Sequence, residues 1–282
     1  MFDFRYHALS LAAVFLALGI GIVLGVTIGD SLVSETEEGL RSNLRGDLVS
    51  ARDQVEDLRG ELGQRDEVIE RSYPLLVEDR LDRRRVAIVV FGSLPDDVAA
   101  PMRDAIRDAG GEVDSTSVIA SPPDERALGD AVGGRFERLG SDEDLLRDLG
   151  ERIGRSIALG GRVANTLERQ LDEEFQGDYE GADAVVVYRE PADDQSDTAV
   201  ALQESLIDGL VTRRNVPVVG VERSDTDPSQ IRFYRDNGLS TVDNLDEAAG
   251  RIALVFALDG ERGSFGFKDS AEDPLPEPRR GG

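Results

Sequence analysis

The chain contains no cysteine, which excludes a disulfide framework, a thiolate nucleophile, an iron–sulfur cluster and a cysteine-ligated zinc. Histidine occurs once, at His7 beside an apolar run, and methionine only at Met1 and Met102, so soft metal donors are almost missing. Ser93, Ser117 and Ser224 have no histidine in the same part of the chain to activate them, which removes a Ser-His-Asp site. Lys268 is the only lysine and lies in the C-terminal tail, where it offers little to a Ser-Lys pair. Phosphate cradles of the GxGxxG or GxxxxGK[ST] kind are also lacking, and Gly92-Ser93-Leu94-Pro95 places a residue without an N–H where a cradle needs donors. No cofactor is expected, no metal ligand set is assigned and no catalytic residue is named.

Positive charge is scarce as well. The 32 Lys and Arg face 57 Asp and Glu, and residues 1–29 hold one of each sign (Asp3, Arg5), so the net charge of -25 lies beyond residue 29. A body of that sign repels nucleic-acid phosphate and anionic lipid headgroups at long range, and nucleic acid is not an expected partner.

What is present is first of all one long apolar run. ALSLAAVFLALGIGIVLGVTIG, residues 8–29, carries no charge and is long enough to cross a hydrocarbon core of about 30 Å as a helix. A cleaved secretory signal is the competing reading, but the run exceeds the usual apolar stretch of such signals and no A-x-A site follows it. Ala13, Ala17, Gly21, Gly25 and Gly29 recur every fourth residue along one ridge, a spacing that lets two helix backbones approach closely; the alternative is that small residues are simply common in membrane helices. Lys and Arg counts on the two sides do not fix an orientation. A short leading tail and a long acidic continuation fit an extracytoplasmic C-terminal domain on a single-pass cell-membrane anchor.

Beyond Asp30, Leu44, Leu48, Ala51, Val55, Leu58, Leu62 and Ile69 fall at steps of four and three, with Arg65 interrupting the seam. Such a heptad pattern predicts a coiled-coil stalk pairing with a second copy, or else one helix packed back on its own domain. Gly46, Gly60 and Gly63 weaken the helix by about 1 kcal/mol each relative to alanine, and Pro74 is expected to end it.

From residue 81 onward, short apolar runs alternate with helical ones. VAIVVFG (86–92), VDSTSVI (113–119), ADAVVVY (182–188) and VPVVGVE (216–222) read as strands, and STVDN (240–244) as a short edge strand. Helices are expected over 95–109, about 142–175, 198–214 and 245–258. Near-continuously apolar strands separated by helices predict an α/β, Rossmann-like or flavodoxin-like three-layer domain with a mostly parallel sheet. Its ligand-facing loops would be 92–97, 189–194 and 222–227. Asp96-Asp97 and Asp193-Asp194 in those loops read as solvated surface, with Asp97 starting a helix. The organisation expected is therefore 1–29, tail and transmembrane helix; 30–80, coiled-coil stalk; 81–260, α/β domain; and 261–282, an irregular tail that Phe265 and Phe267 could pin to the domain.

FRYHALSLAAVFLALGIGIVLG (4–25) resembles the N-terminal signature of the actinobacterial MctB-type copper transporter family. STVDNLDEAAGRIALVFALDGERGSFGFK (240–268) resembles its C-terminal block through Thr241, Val242, Asp243 and Asn244 and through Gly263, Phe265, Gly266 and Lys268. The resemblance implies an N-terminally anchored envelope protein assigned to copper homeostasis and described as a pore-forming outer-membrane protein. A related branch, the cell-separation regulators of corynebacteria, implies instead a scaffold controlling peptidoglycan hydrolases. Without Cys, with Met102 as the one soft donor of the soluble part, direct copper coordination by this chain is not expected. Short, uniformly apolar strands separated by helices do not make a β-barrel pore. The reading is a non-enzymatic, dimeric, membrane-anchored scaffold that binds another envelope protein, with a channel or metal-export component as the second reading.

Overall fold

A computed structural model of the chain describes residues 4–171, 173–192, 195–212 and 215–276, without the side chains of residues 4–6, 27–43, 140 and 141. It falls into two compact units, Met1–Arg65 and Asp66–Gly282.

The first unit belongs to one helix, α1 (Phe4–Val77). Its stretch His7–Val26 is, among the described residues, the one helical segment long and apolar enough to cross a membrane. Ala13, Ala17, Gly21 and Gly25 are exposed there, and a Cβ on Gly21 or Gly25 would meet nothing within 4 Å. Gly29 is helical but lies where side chains are not described. Leu44, Leu48, Ala51, Val55, Leu58 and Leu62 are exposed along the same helix, each of the large ones by about half its surface.

The second unit opens with the last turns of α1, where Tyr73 and Val77 are buried and Ile69 packs half-buried against them and their neighbours. Pro74 does not stop the helix, contrary to expectation. Its missing N–H removes one bond in the final turn, and the chain leaves the helix only after Val77, through Asp79 and Arg83 at φ 57° and 58°.

The remaining elements, in chain order, are β1 (Arg85–Phe91), α2 (Asp96–Asp108), β2 (Glu112–Ile119), α3 (Glu125–Val132), a 3-10 turn (Gly134–Ser141), α4 (Glu143–Leu159) and α5 (Arg162–Gln170). Then come β3 (Phe175–Gly177), β4 (Ala184–Arg189), α6 (Asp197–Val211), β5 (Val218–Val221), α7 (Ile231–Asp236), β6 (Ser240–Val242), α8 (Ala248–Leu258) and β7 (Ser264–Phe265). The strands form one sheet in the order β3-β2-β1-β4-β5-β6-β7, parallel throughout except for β3 against β2.

Both faces of that sheet are covered, which explains its unbroken apolar strands. Ala87, Val89 and Phe91 of β1 face a core shared with Leu149, Ile153, Leu206 and Leu210 of α4 and α6. Val86, Ile88 and Val90 face the opposite core, with Met102 and Ile106 of α2, Leu254 of α8 and Tyr73 of α1. Period-two alternation within a valine-rich run thus feeds two layers at once. Where α4 crosses α6, glycines replace side chains: a Cβ on Gly154 would collide with the Leu206 carbonyl, and one on Gly209 with the Glu151 carbonyl.

Four expectations change. The helix foreseen over 142–175 is two, α4 and α5, divided at Gly160 (φ 77°) and Gly161 and followed by the edge strand β3. Segments 125–132 and 231–236 are helical, where no element was expected. β6 is no edge strand, because β7 pairs outside it. The region expected to be irregular therefore completes the sheet, with Phe265 buried and Phe267 exposed; residues 277–282 lie outside the described residues.

Candidate functional site

In doubly wound sheets ligands occupy the crevice at the carboxyl ends of the strands where the strand order reverses, which in this sheet is between β1 and β4. Here the two loops that flank the crevice are tied to each other. The Glu190 carboxylate after β4 accepts the backbone N–H and the hydroxyl of Ser93 after β1, both at 2.8 Å. Gly92, at φ 98°, passes so close beneath Glu190 that a Cβ on it would overlap that side chain. A carboxylate accepting the N–H of this loop is the opposite of an anion cradle.

The other polar residues singled out from the sequence lie as follows. Asp96 and Asp97 sit in the first turn of α2, and Asp97 pairs with Arg223 at 2.7 Å. Asp193 and Asp194 lie outside the described residues. Ser117 is buried on the hydroxyl of Tyr179 at 2.9 Å, and Ser224 donates its hydroxyl to Asp246 at 2.7 Å.

The residues of the C-terminal block come together at the end of β6. Thr241 and Ser264 share a hydroxyl hydrogen bond of 2.7 Å between β6 and β7. Asp243 accepts the backbone N–H groups of Phe267 at 2.9 Å and Lys268 at 3.0 Å. Gly266 (φ 142°) is required there, because a Cβ would occupy the place of the Asp243 carboxylate. Gly263 lies under the ring of Phe265, and Val242 is buried in the core. Asn244 is buried with its Oδ1 lacking a partner among the described residues, while its amide donates to Glu247 at 3.2 Å. The cluster clasps the segment after α8 against the sheet.

Two charged residues not foreseen as a pair complete the clasp. Glu222, fully buried at the end of β5, accepts Lys268 Nζ at 2.6 Å, the Ser229 hydroxyl at 2.8 Å and the Gln230 N–H at 2.5 Å. Lys268 also donates to the carbonyls of Arg223 and Thr226, each at 3.1 Å. Next to it, Gln230 accepts from the guanidinium of Arg189, which is held further by Gln203 at 2.8 Å and Gln195 at 2.7 Å and stacks on Phe233 at 4.2 Å. Burial pushes the Arg189 pKa down from its ordinary value. The signal that could have exposed the Glu222 pair was the singularity of Lys268; nothing in the spacing marked Arg189.

Within the described residues, no group of three or more His, Cys, Asp and Glu is placed to hold a metal ion. Met102 is fully buried in the core beneath α2, so its thioether is not offered to solvent.

A cavity of about 790 Å³ lies between the end of α1 and α2. Tyr73, Pro74, Leu75, Ala100 and Pro101 supply its apolar lining. Glu70, Glu78, Asp104 and Asp108 bring carboxylates, and Arg251 of α8 the one guanidinium. Arg251 pairs with Glu70 at 3.0 Å and lies 5.2 Å from the Tyr73 ring centre. The Tyr73 hydroxyl donates to Asp108 at 3.3 Å; burial, reinforced by the Asp108 charge, pushes its phenol up to about 12.

Comparison with known proteins adds the family. A family model described as "Copper transport outer membrane protein, MctB" matches residues 1–276. Proteins named "Copper transporter MctB" from Mycobacterium tuberculosis (strain ATCC 25618 / H37Rv) and Mycobacterium bovis (strain ATCC BAA-935 / AF2122/97) are 37% identical over 121 residues. That match spans 41% of this chain and 37% of the length of those relatives.

Proposed function

We propose, from the premise that this chain belongs to the MctB copper transporter family, that it serves copper handling as a membrane-anchored, dimeric and non-enzymatic scaffold whose α/β domain is extracytoplasmic and recruits another envelope protein. One observation carries the reading: a single helix holds both a membrane-length apolar segment and, further along, a row of exposed seam residues from Leu44 to Leu62. Burying a Leu or Val side chain is worth about 1.5–3 kcal/mol, and the helical glycines Gly46, Gly60 and Gly63 each take back about 1 kcal/mol. So short a seam gains from the anchor, which confines two copies to one membrane and raises their effective concentration. The small-residue ridge from Ala13 to Gly29 would let the anchors pack as closely as the stalks.

The scaffold reading is supported by what the domain's own side chains are engaged in. At the crevice that would take a small ligand, the Glu190 carboxylate is engaged by Ser93, and the thioether of Met102 is inside the core. Copper is then the cargo of an assembly, with soft ligands contributed by the partner.

Because the chain lacks cysteine, single cysteines give a clean test. Val55→Cys and Leu58→Cys, on the seam, should form disulfide-linked dimers in membranes treated with diamide, since facing Cα atoms of a coiled coil fall within disulfide reach, whereas Asp57→Cys on the outer face should not. Equal crosslinking at all three, or none at any, would remove the dimer. Stoichiometric Cu(I) retained by the purified full chain against bathocuproine would remove the indirect role in copper handling.

A further inference from the structure

The groove between the end of α1 and α2 differs from the crevice at the strand ends, because it is open and part apolar. At about 790 Å³ it falls in the size range that accommodates a short peptide segment. Leu75, on its lining, is 79% exposed, a large aliphatic side chain mostly uncovered by its own chain. Pro74 and Pro101 add apolar surface that carries no N–H to be satisfied.

Charge decides what can sit on that surface. Four carboxylates line the groove against one guanidinium; Arg251 pairs with Glu70 at 3.0 Å, and Arg107, outside the lining, with Asp104 at 2.5 Å and Asp108 at 3.8 Å, so two guanidiniums meet four carboxylates and the groove stays net negative. A second copy of this chain would bring net charge -25 to an acidic surface, and an anionic membrane would be repelled in the same way. A bare cation would gain nothing from Leu75, Ala100 and the two prolines. The occupant that satisfies both halves of the lining carries Lys or Arg together with apolar side chains.

We propose that this groove is the docking site for a basic, amphipathic segment of the partner protein. The inference rests on the scaffold reading and names the chemistry of its partner. Basic side chains meet Glu78, Asp104 and Asp108, while the apolar ones cover Leu75 and the prolines.

The test uses the full chain in phosphatidylcholine nanodiscs at 0.15 M salt, where long-range attraction is screened beyond about 8 Å. The probe is a fluorescein-labelled hexapeptide of alternating leucine and lysine, read by anisotropy with empty nanodiscs subtracted. Glu78→Gln with Asp104→Asn should weaken binding about tenfold or more, and Leu75→Ser about fivefold. Asp130→Asn with Asp144→Asn, an equal charge change at exposed positions in α3 and α4, should alter it less than about twofold. Equal losses in the two double variants, equal affinity for a leucine–glutamate hexapeptide, or an unsaturable titration would overturn the proposal. Failure here with seam crosslinks intact sinks the groove and leaves the scaffold standing; loss of the crosslinks sinks the dimeric scaffold itself.

Discussion

Replacing Lys268 by methionine should destabilise the α/β domain more than any exposed charge substitution. It strips the ammonium from Glu222, a carboxylate with no exposed surface, and leaves it two neutral donors, the Gln230 N–H and the Ser229 hydroxyl. The carbonyls of Arg223 and Thr226 lose a donor at the same time. Taking one partner from a buried pair costs about 3–5 kcal/mol, and because Lys268 is 22% exposed, water entering its place should bring the loss to about 3 kcal/mol. For a domain of this size each kcal/mol moves Tm by about 2–4 °C, so a fall of about 6–12 °C is expected. Near-UV circular dichroism is a suitable readout, since the chain has no tryptophan and Tyr73, Tyr179, Tyr188 and Tyr234 all lie in this unit. The double variant Lys268→Met, Glu222→Gln should recover most of the loss, because an amide is far cheaper to bury than a lone charge. A single variant melting within about 2 °C of the parent, or a double variant no better than the single, would refute the assignment of the clasp to this ion pair.

Gly154→Ala should cost about 1–3 kcal/mol by driving α4 off α6, whereas Gly63→Ala, with nothing within 4 Å of its Cβ, should raise helix stability by about 1 kcal/mol; thermal melts of the two would move in opposite directions. Arg223→Ala should shift Tm by no more than about 2 °C, since its partner Asp97 is 62% exposed and surface pairs contribute little. Alkaline titration reads the buried phenols: Tyr73 and Tyr179 are each pushed up to about 12, chiefly by burial, while an unfolded tyrosine ionises near 10. The fold favours the neutral phenol, so stability is intact below about pH 10 and falls as pH rises towards about 12. Phenolate absorbance at 295 nm should therefore appear together with loss of the near-UV signal. Full ionisation near pH 10 with native dichroism would contradict the burial.

Much of the architecture was legible because local chemistry and tertiary role agree. VAIVVF reads as a buried strand, and β1 is buried on both faces. The apolar run before residue 30 and the exposed heptad row are pattern features that need no partner to be seen. Elements fixed by distant contacts were not legible. β7 is two residues long and exists because Thr241 and Asp243 lie ready to bind it. β3 is a three-residue strand that begins at the last residue of a stretch read as helix, and the split of that stretch into α4 and α5 lies at Gly160, with φ 77°. Gly150 and Gly154 repeat, inside a soluble helix, the small-residue spacing noticed only in the apolar run. Of the candidate site, the C-terminal block was marked by resemblance, but its work as a clasp depends on Glu222, 46 residues from Lys268, and no local pattern joins them.

That separation also sets an order of events during synthesis. The ribosome makes Glu222 first, and at 5–20 residues per second the carboxylate waits about 2–9 s for its only ammonium. Once β6 has been made, and until β7 follows, it has β5 on one side and an unpaired edge on the other, the kind of edge that invites foreign strands. A nascent chain halted before Ser264 would keep both defects, a lone buried charge and an open sheet, and would be a ready substrate for chaperones and proteases. Completion of the chain through Lys268 is thus the step at which the domain becomes safe from them.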